Sequence, residues 1–397
     1  MSLHPKVEED LLDRGYSRRS IARIAMGAAA ALPFFHEFAL AQQAEVVRAR
    51  RVGMGARLND PDLIRISGNE NPMGPTKEGL EAITKVAPLA WRYGPVGDNQ
   101  ELQSLLETTE SVKSGYVLAY PGSGIPLANL VPAFTSPTRS WVMASPGYGN
   151  GASKEIGNKT VKVPLRKDYT HDVEAMIAAD PNAGAYYICN PNNPTGTYTS
   201  RKDIEYILAN KKKDAVLVID EAYIHFSGRD QMSTDLVRAD KDVVVLRTFS
   251  KIYGMAGLRA GAAYGRPDLL AHLAKFGRPD NVSVATMACA AASLKANATV
   301  LPERMALNKK NRELAFERMD KLGVSYIPSV TNFFMMQVKG MTAQQVYDAM
   351  AAKKILLGGA NRWPEWPNQI RVTVGTTEEM TKFNLALSEI VKSGANA

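Results

Sequence analysis

Residues 186–223 read YYICNPNNPTGTYTSRKDIEYILANKKKDAVLVIDEAY, and this stretch decides the fold. Two short apolar runs, Tyr186-Tyr187-Ile188-Cys189 and Val216-Leu217-Val218-Ile219, are rich in aromatic and β-branched residues and have no alternating polar face. That is the pattern of parallel strands buried on both sides. Between them Ser200 offers a helix cap, and Ile204, Ile207 and Leu208 follow at helical spacing. Strand, helix and strand in that order make a βαβ unit. A third run, Val243-Val244-Val245-Leu246, continues the series.

The same alternation extends from about Trp91 to Val300 and predicts an α/β domain built on a mostly parallel sheet. Beyond residue 300 the pattern changes to a charged helix (303–321), a strand (333–338), a helix (342–353) and a strand (369–374), which predicts a smaller α+β domain. The division expected is therefore 1–41 as a leader, 42–90 as an arm contributing to the small domain, 91–300 as the large domain and 301–397 as the small one. The loop 358–368, where Trp363 and Trp366 flank Pro364 and Pro367, either lines a site or packs on a surface.

Composition narrows the function. The 397 residues are 45% hydrophobic and 22% charged, an ordinary globular balance. The net charge of +8 is scattered, its longest run being Lys211 to Lys213, so no nucleic-acid site is expected. Cys189 and Cys289 lack any metal-binding spacing and read as buried free thiols.

At the N-terminus, Ser17-Arg18-Arg19-Ser20-Ile21-Ala22-Arg23 precedes an apolar run from Ile24 to Phe35, then Ala39-Leu40-Ala41 before Gln42. This resembles a twin-arginine export signal, with Ile21 and Ala22 where that pattern prefers Phe and Leu. A basic amphipathic N-terminus is the alternative. The run is shorter than the roughly 20 residues a membrane span needs, so no membrane anchor is expected in the mature protein. Resemblance thus implies handling by the twin-arginine machinery and a periplasmic or otherwise exported location. Removing residues 1–41 takes Lys6, Arg14, Arg18, Arg19 and Arg23 together with Glu8, Glu9, Asp10, Asp13 and Glu37, and leaves the charge unchanged.

Open α/β sheets bind ligands at the carboxyl ends of their strands. Three polar clusters fall there: Asn190 to Gly196, Asp220 to Tyr223, and Thr248 to Lys251. Together they suit pyridoxal phosphate, an electron sink that needs an amine for its aldehyde, a carboxylate for its ring nitrogen, and donors for its phenolic oxygen and phosphate. Lys251 is the candidate amine and Asp220 the carboxylate. Asn193 and Tyr223 would serve the phenolic oxygen, and Ser250 and Arg259 the phosphate. Ser123 and Gly124, opening an apolar helix, would add free N–H groups to the phosphate site.

NPNNPTG at 190–196, DEAY at 220–223, and Ser250-Lys251 with Ala256-Gly257-Leu258-Arg259 resemble the fold-type I aminotransferases, in particular the histidinol-phosphate aminotransferase-like branch. The likeness runs from Ser67 to about Met380. It implies a seven-stranded, mostly parallel sheet in the large domain, a Schiff base on Lys251 and an amino group passed from an α-amino acid to a 2-oxo acid. It also implies that Tyr93 reaches the phosphate of a neighbouring subunit in a homodimer and that Tyr148 stacks on the cofactor ring. Gly68-Asn69-Glu70-Asn71-Pro72 would be a substrate-side loop, with Asn71 at the substrate, and Arg371 would clamp the substrate carboxylate. Lys251 would act as both covalent anchor and general base.

The chain also departs from that branch. Gly124 and Ile125 replace an acidic pair, Gly358 stands where an arginine is usual with Arg362 four residues on, and residues 45–55 are arginine-rich where a substrate-binding tyrosine is expected. These departures favour an α-amino acid over histidinol phosphate, with Arg362, Trp363 or Trp366 shaping the side-chain pocket. The same cofactor core could also serve an oxidase, decarboxylase or lyase. A binding protein on a decayed enzyme fold is disfavoured by the intact Lys251, Asp220, Asn193, Tyr223 and Arg259.

Overall fold

A computed structural model describes residues 5–29, 60, 62–92, 99–149, 156–277, 279, 282–360 and 362–394. In chain order its strands are β1 (Ile64–Ile66), β2 (Val117–Tyr120), β3 (Ser140–Ser145), β4 (Thr160–Pro164), β5 (Ala183–Cys189), β6 (Val216–Asp220), β7 (Val243–Thr248), β8 (Gly261–Tyr264), β9 (Ser325–Ile327), β10 (Phe333–Gln337), β11 (Ile355–Leu357) and β12 (Ile370–Thr373). The large sheet has the order β2-β8-β7-β6-β5-β3-β4. Only β8 runs against its neighbours, so the sheet is the mostly parallel seven-stranded one expected.

The apolar runs behave as their lack of a polar face requires, for every residue of β5, β6 and β7 is buried. On one face Tyr186, Ile188, Leu217 and Ile219 pack with Ile204 and Ile207 of the helix Arg201–Asn210. On the other, Tyr187, Cys189, Val218 and Leu246 meet Leu127 and Leu130 of the helix Gly124–Phe134. Register then sets up the site: Cys189 lies opposite Asp220, and Asp220 opposite Leu246. β5 and β6 end level and β7 continues to Thr248, so the polar clusters leave the same edge of the sheet side by side.

The small domain joins the antiparallel sheet β12-β10-β9 to the parallel pair β1–β11, in which Ile64 faces Ile355. Ile64 and Ile66 share its core with Phe334, Met336, Val372 and Phe383. One boundary differs. The helix expected from Glu303 begins at Asn297 and runs to Leu322, with Pro302 inside it. Pro302 forgoes one backbone hydrogen bond, and burial of Val300 and Leu301 in the preceding turn offsets that loss.

The N-terminal residues form the helices Pro5–Asp13 and Arg18–Ala29. Their Leu11, Ile21 and Ile24, with Tyr16 of the connecting turn, are buried with Ala133 and Phe276 of the large domain. Arg14 donates to the carbonyls of Pro132 at 2.8 Å, Ala133 at 3.3 Å and Thr135, and Tyr16 donates to Thr135 O at 2.7 Å. Those carbonyls close the helix Gly124–Phe134, where a cation offsets the negative end of the dipole. Residues 30–41 of the expected leader lie outside the described residues.

Candidate active site

Asp220 ends β6 with its carboxylate buried. Oδ1 accepts the Ala222 N–H at 3.1 Å and Oδ2 accepts the Tyr187 hydroxyl at 3.1 Å. No cation forms an ion pair with it among the described residues. Burial raises its pKa to about 6, against the hydrogen bonds from Tyr187 and Ala222. A buried carboxylate without a cation is costly, so this one suits a positively charged ring nitrogen.

Lys251 is half-buried, with Nζ 3.4 Å from Gly68 O and 5.6 Å from the centre of the Tyr223 ring. Burial and the charge of Arg371 lower its pKa to about 8. The neutral amine that a nucleophile or base requires is therefore reached at a lower pH than for an ordinary lysine.

The phosphate candidates also come together. Arg259 Nη1 lies 3.3 Å from Ser250 Oγ and 2.8 Å from Ala256 O. Gly122 has φ +86°, and a Cβ there would fall 2.5 Å from Arg259 Nη2. Across the cup, a Cβ on Gly261 would meet the Gly122 carbonyl carbon at 2.5 Å and Ser123 N at 2.6 Å. Small residues are therefore needed where β8 presses against the Ser123-Gly124 turn, whose helix presents its N-terminus to the same space.

The Tyr223 hydroxyl oxygen accepts from Asn193 Nδ2 at 3.3 Å and from Asn69 Nδ2 at 3.1 Å. Its own proton is left for another acceptor, as the phenolic oxygen of the cofactor requires. Asn193 Oδ1 in turn accepts from Arg371 Nη1 at 2.8 Å, while Arg371 Nη2 donates to Ser67 O at 3.1 Å. Arg371 is buried, its Nε has no hydrogen-bond partner, and no carboxylate pairs with it among the described residues. Burial and the charge of Arg362 lower its pKa to about 10.

The tryptophan loop lies at the edge of this site, which decides between its two possible roles. Trp363 is buried, with Arg371 5.5 Å and Arg362 5.7 Å from its ring centre. Ser145 Oγ donates to Glu365 Oε1 at 2.9 Å, and Trp366 meets Tyr169 edge-on, so the loop bridges the two domains. The Gly358 N–H donates to Arg371 O at 2.9 Å, and a Cβ at Gly358 would approach that oxygen to 2.8 Å. Exposed Arg362 brings a cation to the same region from farther along the loop.

Asn71 does not play the part expected of it. Its amide donates to Ile252 O at 2.9 Å and its oxygen accepts the Met73 N–H at 3.0 Å, so it secures the loop. Asn69 enters the site instead, held by Thr373 and Asn332. The motif drew attention to the loop, but identity alone could not tell which asparagine turns inward. Tyr148 follows β3, is 42% exposed and lies within electrostatic reach of Asp220, Arg362 and Arg259. Tyr93 lies outside the described residues.

An uncompensated carboxylate, an amine of lowered pKa, an arginine-lined cup and a phenol with a spare proton fit pyridoxal phosphate. The pattern of the aminotransferase class I and II family matches residues 61–386. The chain belongs to that family. It is 30% identical over 336 residues to a histidinol-phosphate aminotransferase of Moorella thermoacetica, covering 83% of this chain and 86% of the relative. It is 32% identical over 336 residues to one of Symbiobacterium thermophilum, covering 84% and 92%. Among solved structures, the histidinol-phosphate aminotransferase of Sinorhizobium meliloti in complex with pyridoxal-5'-phosphate superposes with a TM-score of 0.76 at 26% identity, covering 83% of this chain and 91% of that one. Aspartate aminotransferase of Thermus thermophilus with maleate, 19% identical with a TM-score of 0.74 over 89% and 96%, shares the fold. This aminotransferase is a pyridoxal-phosphate-dependent transaminase.

Proposed function

We propose that this aminotransferase exchanges amino groups between an α-amino acid and a 2-oxo acid, with Arg371 holding the carboxylate common to both. The observation that carries this reading is the burial of Arg371 without a carboxylate partner. A buried unpaired charge is costly, and an arriving carboxylate relieves the cost by bidentate pairing.

The bound cofactor supplies an electron sink for the substrate's α-carbon. Lys251 would hold the cofactor aldehyde and, as a free amine beside Gly68 O and the Tyr223 ring, would serve as the base for the α-proton. Asp220 holds the countercharge for a protonated ring nitrogen, Tyr223 donates to the phenolic oxygen, and Arg259 with Ser250 keeps the phosphate fixed.

Histidinol phosphate is the second reading, favoured by what the relatives are called. One screen separates the two. Single α-amino acids and histidinol phosphate are added to the pyridoxal form, and conversion to the pyridoxamine form is followed by absorbance alongside oxygen uptake and carbon dioxide release. Amino acids are expected to convert the cofactor without either gas changing. Conversion by histidinol phosphate alone would overturn the amino-acid reading, and oxygen consumption or carbon dioxide release would favour an oxidase or decarboxylase.

The reading includes a homodimer in which Tyr93 completes the partner's phosphate site, and export through the twin-arginine route. Supporting export, Arg18 and Arg19 are exposed on the first turn of their helix. Ile21 and Ile24 must leave their seat on Ala133 and Phe276 for the leader to be handed over. A reporter fused to residues 1–45 should cross the membrane and be retained when Arg18 and Arg19 are both lysine. Export of the double-lysine form would remove the proposal, and a monomeric mass by light scattering would remove the dimer.

A further inference from the structure

The hydrogen bond from Tyr187 to Asp220 joins two buried groups in an otherwise apolar layer. In the β5–β6 register Tyr187 lies opposite Val218, two residues before Asp220, so both side chains point to the same face of the sheet. Each residue is 2% exposed, and the hydroxyl is 3.1 Å from Asp220 Oδ2. The Trp141 ring stacks on Tyr187 at 5.4 Å between centres with an interplanar angle of 27°, which fixes the phenol in place. A Cβ on Gly149, next to Tyr148, would lie 3.5 Å from the Tyr187 oxygen, so the loop bearing the candidate stacking ring rests on the same group.

Packing alone does not call for this hydroxyl. Phenylalanine would fill the volume and keep the Trp141 stack, whereas a buried hydroxyl is costly unless it is hydrogen-bonded. Asp220 has two oxygens and few ways to hold its orientation: Ala222 N–H restrains Oδ1 and Tyr187 restrains Oδ2.

We infer that Tyr187 is a positioning residue for transamination, its hydroxyl holding Asp220 as an oriented, ionised carboxylate for the ring nitrogen of the cofactor. Burial keeps the phenol itself protonated, its pKa pushed well above the usual range, so it remains the donor. The inference rests on pyridoxal phosphate occupying this site.

The test is Tyr187→Phe, alone and combined with Asp220→Asn, in full-length protein reconstituted with pyridoxal phosphate labelled with 15N in the ring. Two quantities are read: the cofactor dissociation constant and the 15N shift of the ring nitrogen at neutral pH. In Tyr187→Phe the shift should move toward that of a neutral ring, and the cofactor should bind about tenfold more weakly, the scale of one charge-assisted hydrogen bond. In the Asp220→Asn background the same substitution should add almost nothing to either quantity, because the carboxylate it serves is gone. An unchanged shift and affinity in Tyr187→Phe overturns the inference. So does an equal loss with and without Asp220, which would mark a general packing role. Wild-type protein that takes up no labelled cofactor would instead sink the cofactor assignment, so the two failures are distinguishable.

Discussion

Lys251→Ala should bind pyridoxal phosphate noncovalently yet lose transamination by about 10^4-fold or more, the upper range for a positioned base with loss of the covalent anchor added. Asp220, Arg259 and Ser250 remain in that variant, so cofactor uptake persists while the visible-edge absorbance of the lysine-bound form disappears. Single-turnover conversion of an amino acid to its oxo acid is the decisive measurement, and wild-type rates would refute the role. The pH dependence of cofactor capture gives the same residue a second check. Only the neutral amine attacks the aldehyde, and burial with the Arg371 charge lowers the Lys251 pKa to about 8. Capture by apo-protein should therefore rise with pH through a midpoint of about 8 and level off above it, below the ordinary lysine midpoint of about 10.4. A rise that continues to about pH 10 would mean that the amine is not depressed.

Most of this site was legible because it depends on position along the chain. Strands that end level need only apolar runs of matching register, and a polar cluster after each run then falls at the same edge. Lys251, Asp220, Asn193, Tyr223 and Ser250 lie in those clusters, and the chain returns Arg259 to Ser250 just before β8. Contacts that depend on orientation were not. Tyr187 reads as one more aromatic residue in a buried strand, although its parity with Asp220 across β5 and β6 was a usable signal. Asn69 and Asn71 sit in one motif with the same side chain, and only the fold turns the first inward, with φ 53°. The start of the helix Asn297–Leu322 was missed for a different reason, since it lies ahead of the charged stretch and includes the buried Val300 and Leu301. The glycine at 358 could be seen in the sequence, but its close approach to Arg371 O required three dimensions.

Arg371 supports the second large prediction, in which substrate binding and stability should separate. Truncating one partner of a buried charged pair costs about 2–5 kcal/mol, so Arg371→Met should lower kcat/KM for amino acids by roughly 10^2- to 10^3-fold. Without substrate the expected effect is different. The guanidinium is buried with no carboxylate beside it, held by Asn193 Oδ1 and Ser67 O, with Nε unpartnered. Replacing an uncompensated buried cation by an apolar side chain of similar length removes a desolvation cost along with those two hydrogen bonds, so apo stability should change by only about 1 kcal/mol in either direction. Thermal denaturation of the apo-protein and steady-state kinetics with an amino-acid series measure the two sides. Loss of both together would make Arg371 a structural residue. A large kinetic loss with stability preserved would assign its charge to the substrate. The Lys251 pKa should also move upward in this variant, because Arg371 is the largest charge lowering it after burial itself. A shift in the pH midpoint of cofactor capture would then tie the carboxylate clamp and the catalytic amine into one electrostatic unit.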